Sequence, residues 1–468
     1  MWAVSRFTNV WFHSPFLIHF SNLHFRLKCF SSLSKVEPCL SEDCDDFFLP
    51  WLERKAGTEI SSVLSIGKSG YGRSLFASKS IRAGDCILKV PFSVQITPDK
   101  VLPEISCLLG DDVGYNARLA ILILVENKLG QDSRWAPYIS RLPRPGELHC
   151  TIFWSKDELD MVRKSAIYHE TVNQQAQVEK EFLAIRPVLD NFPHIFEDVT
   201  LKDFMHAYAL VGSRAWGSSK GLSLIPFADF LNHDEFSEAV LLSDKHKKTS
   251  EVIAERDYAT GEEVLIRYGK FPNTTLLQDF GFTLPYNIHD QVQIWVGVPQ
   301  HDPLRMMKLD LLHKHCAPTT VRTTDGFDSC KTNFTIKEVR SASRKGKGIP
   351  QPLRAFARIL SSTSIEELED LVSEAAQNDG RLARRPLQNN SKEIQAHQFL
   401  LSQISQLIQE YEVSIKLLNP DKTTSVGQLA IRAQMARDLL AGERRVLKSA
   451  SAWLKNYCAT LSTAKDHS

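Results

Sequence analysis

One apolar run that stops on three polar residues constrains this chain more than any other stretch: Leu224-Ile225-Pro226-Phe227-Ala228-Asp229-Phe230-Leu231-Asn232-His233-Asp234. Two further pieces follow, Gly261-Glu262-Glu263-Val264-Leu265-Ile266-Arg267-Tyr268-Gly269 and Asp279-Phe280-Gly281-Phe282. In each, a short strand-like segment hands over to a polar or aromatic group at its end. Strand ends and the loops after them are where a rigid scaffold presents chemistry.

The rest of the chain alternates between β and helical character. Asp45 to Lys55 predicts a short helix with Phe48, Trp51 and Leu52 on one face. Val63 to Ile66, Leu75 to Ala77 and Cys86 to Pro91 predict a β-meander, its first turn the Gly-rich Gly67-Lys68-Ser69-Gly70-Tyr71-Gly72-Arg73-Ser74. That turn has no Gly-Lys-[Ser/Thr] at P-loop spacing and no helix pattern after it, so a phosphate cradle is a weak reading; a hairpin turn needing positive φ or a close backbone approach to a ligand is the stronger one. Residues 99 to 212 read as helical. Asn116 to Lys128 is apolar without alternation, Ser155-x-x-Glu158 has capping-box spacing, and Trp135 to Pro143 reads as a loop between helices. A second β half runs from Ser213 to Pro285, with Lys245-His246-Lys247-Lys248 as a solvated hairpin tip. After Pro299 the pattern is helical to the end. Ser364-x-x-Glu367 heads one helix, Leu400, Ile404, Leu407, Ile408, Tyr411 and Ile415 line a face of another, and a last helix covers Val426 to Tyr457.

Bulk properties exclude several function classes. The 468 residues suffice for two or three domains with a sizeable core. A net charge of +1 argues against a general affinity for nucleic acid, and the basic loops Arg340 to Lys347 and Arg381 to Arg385 do not form a continuous basic face. Nine scattered cysteines, with no Cys-x-x-Cys pair, argue against a disulfide framework or a Cys-rich zinc site and fit a reducing compartment. The longest apolar stretch of the globular part, Leu119 to Val125, is too short to cross a bilayer. Residues 1–36 contain no Asp or Glu and carry Arg6, Arg26, Lys28, Lys35 and six serines. That is the composition of a mitochondrial or plastid transit peptide, which we expect over residues 1–40.

The motifs, taken in order, carry a resemblance. Gly72-Arg73-Ser74-Leu75-Phe76-Ala77, Ile81 to Gly84, Asp229-Phe230-Leu231-Asn232-His233 and Gly261-Glu262-Glu263 through Tyr268 resemble the SET domain. With Trp135 to Pro143 and Phe153-Trp154, the chain looks like the Rubisco large-subunit methyltransferase-like class. The resemblance covers residues 45 to 300, and the helical tail by position and pattern. It implies an α+β fold: a β-rich SET domain with a pseudoknot in two halves, 41–98 and 213–298. A helical insert, 99–212, would split them, and an all-α C-terminal substrate-binding domain, 299–468, would follow. It also implies S-adenosyl-L-methionine as cofactor, a protein as substrate, no metal and a plastid ahead of a mitochondrion as address; a monomer is the default.

Site residues carry over position by position. Tyr268 stands where the family places its active-site tyrosine. Asn232 and His233 match the pair that holds the cofactor; His233 would equally fix the crossing of the chain. Tyr71, Gly72 and Arg73 match the backbone that lines the cofactor's amino-acid end, and Phe280 completes the cofactor side. Ser213, Arg214 and Asp229 match the substrate side, where Arg214 could anchor a carboxylate or carbonyl by a forked contact. Two positions depart: Ser74 replaces a frequent Gly, and Phe280 replaces the Tyr of the plant Rubisco-type Asp-Tyr-Gly-Phe. The methyl count and the Rubisco substrate are therefore not implied.

A lysine amine, with an ordinary pKa of about 10.4, must lose its proton before it attacks a methyl group. A narrow apolar channel favours the neutral amine. The leading expectation is a protein-lysine N-methyltransferase acting on an organellar protein. Protein-histidine methylation is the close alternative, and a non-catalytic SET-fold scaffold whose helical tail binds a partner is the alternative of another class.

Overall fold

The computed structural model describes residues 47–70, 72–111, 113–218, 221–315, 331–340, 346–418 and 427–463. The expected transit segment 1–40, Tyr71 and positions 341–345 of the first basic loop lie outside the described residues. The chain divides into two compact units, residues 1–145 with 177–269 and residues 146–176 with 270–468. Residues 146–176, read above as part of the insert, thus group with the C-terminal chain.

The first unit is built on short strands: β1 (Leu64–Ser69), β2 (Gly72–Ala77), β3 (Cys86–Pro91), β4 (Ala215–Ser218), β5 (Gly221–Leu224), β6 (Asn232–His233), β7 (Leu241–Asp244), β8 (Thr249–Ile253) and β9 (Glu263–Ile266). They form a sheet of order β1-β2-β9-β6, a sheet of order β3-β8-β7 and the hairpin β4-β5. Strand β6 runs parallel to β9, Asn232 opposite Leu265 and His233 opposite Ile266, and all other pairs in this unit are antiparallel. The apolar run of the opening motif therefore ends inside a sheet, and its Asn-His pair is the strand.

The Gly-rich segment differs from the expected turn. Gly67 and Lys68 belong to β1, which runs on to Ser69 and pairs there with Gly72 of β2. Gly67 has ordinary φ, but a Cβ there would stand 2.6 Å from the Phe76 ring, so its glycine serves close packing. Gly72 has φ +98, the conformation that an L side chain rarely adopts.

The helix Tyr115–Leu129 is buried on every side from Leu119 to Val125, as an all-apolar helix must be. Each such leucine or isoleucine contributes roughly 1.5–3 kcal/mol by leaving water. Within Trp135 to Pro143, expected as a loop, Ala136–Ile139 forms one helical turn with Pro137 at a first-turn position.

The second unit is predominantly helical, as expected, and includes a two-stranded sheet that the pattern reading missed. Strand β10 (Gln291–Gly297) pairs antiparallel with β11 (Lys331–Lys337). Val292, Ile294 and Val296 alternate inward and join Phe334, Ile336 and the helix Gln351–Ser361 in one core. The helices Asn390–Leu417 and Gln428–Thr463 close this core through Leu400, Ile404, Tyr411, Leu440, Leu447 and Leu454. The Ser155 capping box is complete: Ser155 Oγ accepts from the Glu158 N–H, and the Glu158 carboxylate accepts from the Ser155 N–H. At Ser364 only half of the box forms, because the Glu367 carboxylate accepts from the Thr363 N–H instead.

Candidate active site

The strand ends of the first unit converge on Tyr268, two residues past β9. Its ring meets Trp216 of β4 edge-on, centroids 6.3 Å apart, and lies 5.2 Å from the His233 ring at an angle of 34°. Its hydroxyl donates to the Leu231 carbonyl at 2.7 Å, and its own N–H donates to His233 Nδ1 at 3.1 Å. As the acceptor of this hydrogen bond, His233 Nδ1 carries no proton of its own. Burial pushes the Tyr268 phenol well above its ordinary value. At neutral pH it is a neutral hydroxyl that orients neighbours; it is not a base.

The second anchor is the turn before β6. Phe227, fully buried, adopts φ +75, an outlier for so bulky a residue. Strain of this kind costs on the order of 1–3 kcal/mol and persists where the surroundings enforce it. It turns Asp229 inward, where its side chain has no exposure to solvent. Asp229 Oδ2 accepts from the Tyr138 hydroxyl at 2.9 Å and from Arg214 Nη1 at 3.4 Å; Nη1 also donates to the Asp229 carbonyl at 2.9 Å. Burial raises the Asp229 carboxyl above its ordinary range, opposed by the Arg214 charge and the Tyr138 hydrogen bond.

Asn232 ties the two halves of this unit together. Its amide donates to the Arg73 carbonyl at 3.2 Å and to Glu263 Oε1 at 3.4 Å. Strand β9 pairs with β2 only at Leu75 and Phe76, so Gly72, Arg73 and Ser74 lie beyond the paired stretch. The Arg73 guanidinium turns away, over the Phe230 ring at 5.2 Å and onto the Arg141 carbonyl. What Arg73 offers on the Asn232 side is backbone. Ser213 spends its hydroxyl on the Ala209 carbonyl of its own helix, Leu201–Arg214, at 2.9 Å. Phe280 falls in the second unit, at the end of a π-helical turn, beside Phe271 and Phe282.

Of the expected site residues, the first unit thus joins Tyr268, His233, Asn232 and the Arg73 backbone by direct hydrogen bonds, and Arg214 with Asp229 as an ion pair. Among the buried polar atoms without a hydrogen-bond partner in the described residues are three at this site: Ser74 Oγ, Arg214 Nε and Asp229 Oδ1. Such atoms fit a polar ligand. Tyr138 was not among the expected site residues; its signal, a tyrosine in an otherwise apolar Trp-x-x-Tyr-Ile turn, says nothing about a carboxylate 91 residues away. No group of three or more His, Cys, Asp or Glu among the described residues could hold a metal ion, and no described helix is long and apolar enough to cross a membrane.

The fold and the chain's two regions have counterparts among known proteins. The SET domain family model matches residues 72–269, and the Rubisco LSMT substrate-binding model matches residues 299–447. The actin-histidine N-methyltransferases of Papio anubis and Homo sapiens are 26% identical over 436 residues, covering 87% of this chain and 68% of theirs. Among solved structures, Rubisco LSMT bound to AdoMet superposes with a TM-score of 0.66 at 23% identity, covering 89% of this chain and 92% of the other. Rubisco LSMT bound to sinefungin and monomethyllysine superposes with a TM-score of 0.69 at 23% identity, covering 90% and 94%.

Proposed function

Since the chain belongs to the SET methyltransferase class and carries a Rubisco LSMT substrate-binding domain, we propose that it moves the methyl group of S-adenosyl-L-methionine onto a side-chain nitrogen of a protein, lysine first. The observation that carries this reading is the half-buried Tyr268, its hydroxyl held on the Leu231 carbonyl and its ring against Trp216 and His233.

The residues present fit the cofactor. The backbone of Gly72 to Ser74, outside the β9 ladder, and the neighbouring Asn232 and His233 would hold it, and the unpartnered Ser74 Oγ suits a polar ligand. When bound, S-adenosyl-L-methionine supplies the electrophilic methyl group. The chain's own part is positioning. Tyr268, a neutral hydroxyl, is oriented by its hydrogen bond to the Leu231 carbonyl, which would fix the direction in which its oxygen meets the incoming nitrogen. Arg214 and Asp229 brace the segments that carry Trp216 and Leu231. The burial that raises the Tyr268 phenol would also disfavour a charged amine beside it, which is the condition a lysine nucleophile needs.

Histidine is the second reading, and the curated relatives favour it by name. An imidazole, with an ordinary pKa of about 6.5, is already mostly neutral at pH 7 and asks less of the site. The Rubisco LSMT structure bound to sinefungin and monomethyllysine shares the fold and favours lysine. We further propose that residues 1–40 address the protein to a plastid or mitochondrion, a reading supported by their composition and testable with a fluorescent fusion.

The experiment is transfer of labelled methyl from S-adenosyl-L-methionine by the full chain into plastid and mitochondrial extracts, with Tyr268→Phe beside it. Label that Tyr268→Phe loses, recovered as methyl-lysine after hydrolysis, supports the proposal. Recovery as methyl-histidine overturns the choice of lysine. An absence of label with either extract overturns the organellar enzyme.

A further inference from the structure

We propose that Tyr138 is a positioning residue for methyl transfer, acting through Asp229 on Arg214. The inference rests on the methyltransferase reading and adds a residue to it.

The geometry makes the Tyr138 hydroxyl the principal support of Asp229. A carboxyl with no solvent exposure needs partners for its oxygens. Arg214 could satisfy both through a forked pair, the strongest geometry open to it. It does not: a single nitrogen, Nη1, serves both the Asp229 carbonyl and Oδ2, and reaches Oδ2 only at 3.4 Å, while Arg214 Nε has no hydrogen-bond partner. The Tyr138 bond, 2.9 Å from a fully buried ring, is the shorter contact and sets the Asp229 rotamer. Without it the carboxyl hangs on one long contact.

What Asp229 then steadies lies against the proposed reacting centre. Arg214 is two residues before Trp216, whose ring meets Tyr268 edge-on. Asp229 is two residues before Leu231, whose carbonyl accepts the Tyr268 proton. The Arg214–Asp229 pair therefore clamps the two segments that hold Tyr268, and Tyr138 locks the clamp from the one-turn helix Ala136–Ile139. The groups that share the electrostatics of Asp229 and Tyr268 are Arg214, Tyr138 and Arg73. The Tyr138 hydrogen bond lowers the Asp229 carboxyl and so keeps it an anion toward lower pH. Its loss lets Asp229 take up a proton at higher pH and release Arg214.

The test measures initial rates of labelled methyl transfer into the extract protein that the wild type labels, from pH 6 to pH 9. The variants are Tyr138→Phe, Asp229→Asn and the double variant. Tyr138→Phe keeps the ring beside Phe48 (centroids 6.5 Å apart) and removes only the hydroxyl. Tyr411→Phe, which removes an equally buried hydroxyl from Glu443 in the second unit, controls for stability alone. The expected result is a drop in kcat of at least about tenfold in Tyr138→Phe, as misplacement near a reacting centre produces. The acid limb of its profile moves to higher pH, and no further loss follows when it is added to Asp229→Asn. Tyr411→Phe lowers the melting temperature without moving the profile. A fluorotyrosine at position 138, a stronger donor in the same shape, moves the acid limb the other way and serves if the Phe variant does not fold. A Tyr138→Phe rate within twofold of wild type with an unmoved profile, or full additivity with Asp229→Asn, overturns the inference alone. A wild type that labels nothing overturns the methyltransferase reading and the inference with it.

Discussion

Tyr268 donates its phenolic proton to the carbonyl of Leu231 at 2.7 Å, across 37 positions of sequence. The bond joins the segment after β9 to the turn that feeds β6, the edge strand that pairs with β9 in parallel. One hydrogen bond thus ties an aromatic ring at a strand end to a segment 37 residues away.

Tyr268→Phe is accordingly expected to separate activity from stability. The ring contacts with Trp216 and His233 remain, and the His233 bond to the backbone N–H remains. The Leu231 carbonyl loses its donor, which costs about 1–3 kcal/mol of stability. On the proposed mechanism, loss of the Tyr268 hydroxyl lowers methyl transfer by about 100-fold or more. Label transfer and thermal melting, run on the same preparation, check both.

A buried carboxyl in the second unit predicts the direction of pH-dependent stability. Glu443, on the helix Gln428–Thr463, is buried and receives hydrogen bonds from Ser165 and Tyr411, each at 2.8 Å. Burial pushes its pKa up from 4.5 to about 8, with Asp290 and Glu170 adding to the rise. The folded group therefore keeps its proton up to about pH 8, while the unfolded group loses it above its ordinary value. The folded state binds more protons in that window, so stability falls as pH rises through it. Glu443→Gln removes this slope. Melting temperatures from pH 5 to pH 9 should show wild type declining more steeply than the variant, by an amount on the order of a few kcal/mol at the upper end. Parallel curves would show that Glu443 is not the group responsible.

These residues also show what a linear reading can reach. The Asn232-His233 and Tyr268 motifs were legible because each sits at the end of an apolar run, and strand ends follow from local pattern. The helix Tyr115–Leu129 and the Ser155 capping box were legible for the same reason: their signals lie within a few residues of each other. Strand β10 had its alternation on view in Val292, Ile294 and Val296, but its partner β11 lies beyond an intervening helix, Arg305–His315, and nothing local pairs them. Gly67 was read as a turn glycine because the Phe76 ring that excludes a Cβ reaches it only across the β1–β2 ladder. Tyr138 and Glu443 depend on contacts 91 and 278 residues away, so no spacing rule could have singled them out.

Arg358 and Glu393 form a second long-range pair, and here the expected loss is structural. Arg358 Nη2 donates to Glu393 Oε1 at 2.7 Å, and the Tyr457 hydroxyl donates to the same oxygen at 3.0 Å. Both charged side chains are almost wholly buried, 3% and 1% exposed. Removing one partner strands the other charge, so Arg358→Ala is expected to cost about 3–5 kcal/mol. Tyr457→Phe, which removes one neutral donor to a charged acceptor, should cost about 1.5–3 kcal/mol. Urea denaturation followed by the tryptophan signal orders the two; a Tyr457→Phe loss as large as that of Arg358→Ala would show that the phenol, not the ion pair, holds Glu393.

Gly442→Ala opposes helix propensity to packing. The residue lies inside the helix Gln428–Thr463, where propensity alone makes alanine better than glycine by about 1 kcal/mol. A Cβ built at this position, however, would stand 2.0 Å from Asp290 Oδ2 and 2.9 Å from its Cγ. The carboxylate has little room to retreat: its Oδ1 accepts from the Asn273 N–H at 3.0 Å, and Oδ2 accepts from Arg445 Nη2 at 3.3 Å. Moving it breaks a buried bond to Asn273, which is itself fully buried. We therefore expect Gly442→Ala to lower stability by about 1–3 kcal/mol despite its propensity. Asp290→Ala in the same chain should remove most of the penalty that alanine at 442 adds, because the clash then has no second atom. A double-variant cycle by denaturation measures that coupling directly, and additive losses would show that the helix has shifted away and the contact is soft.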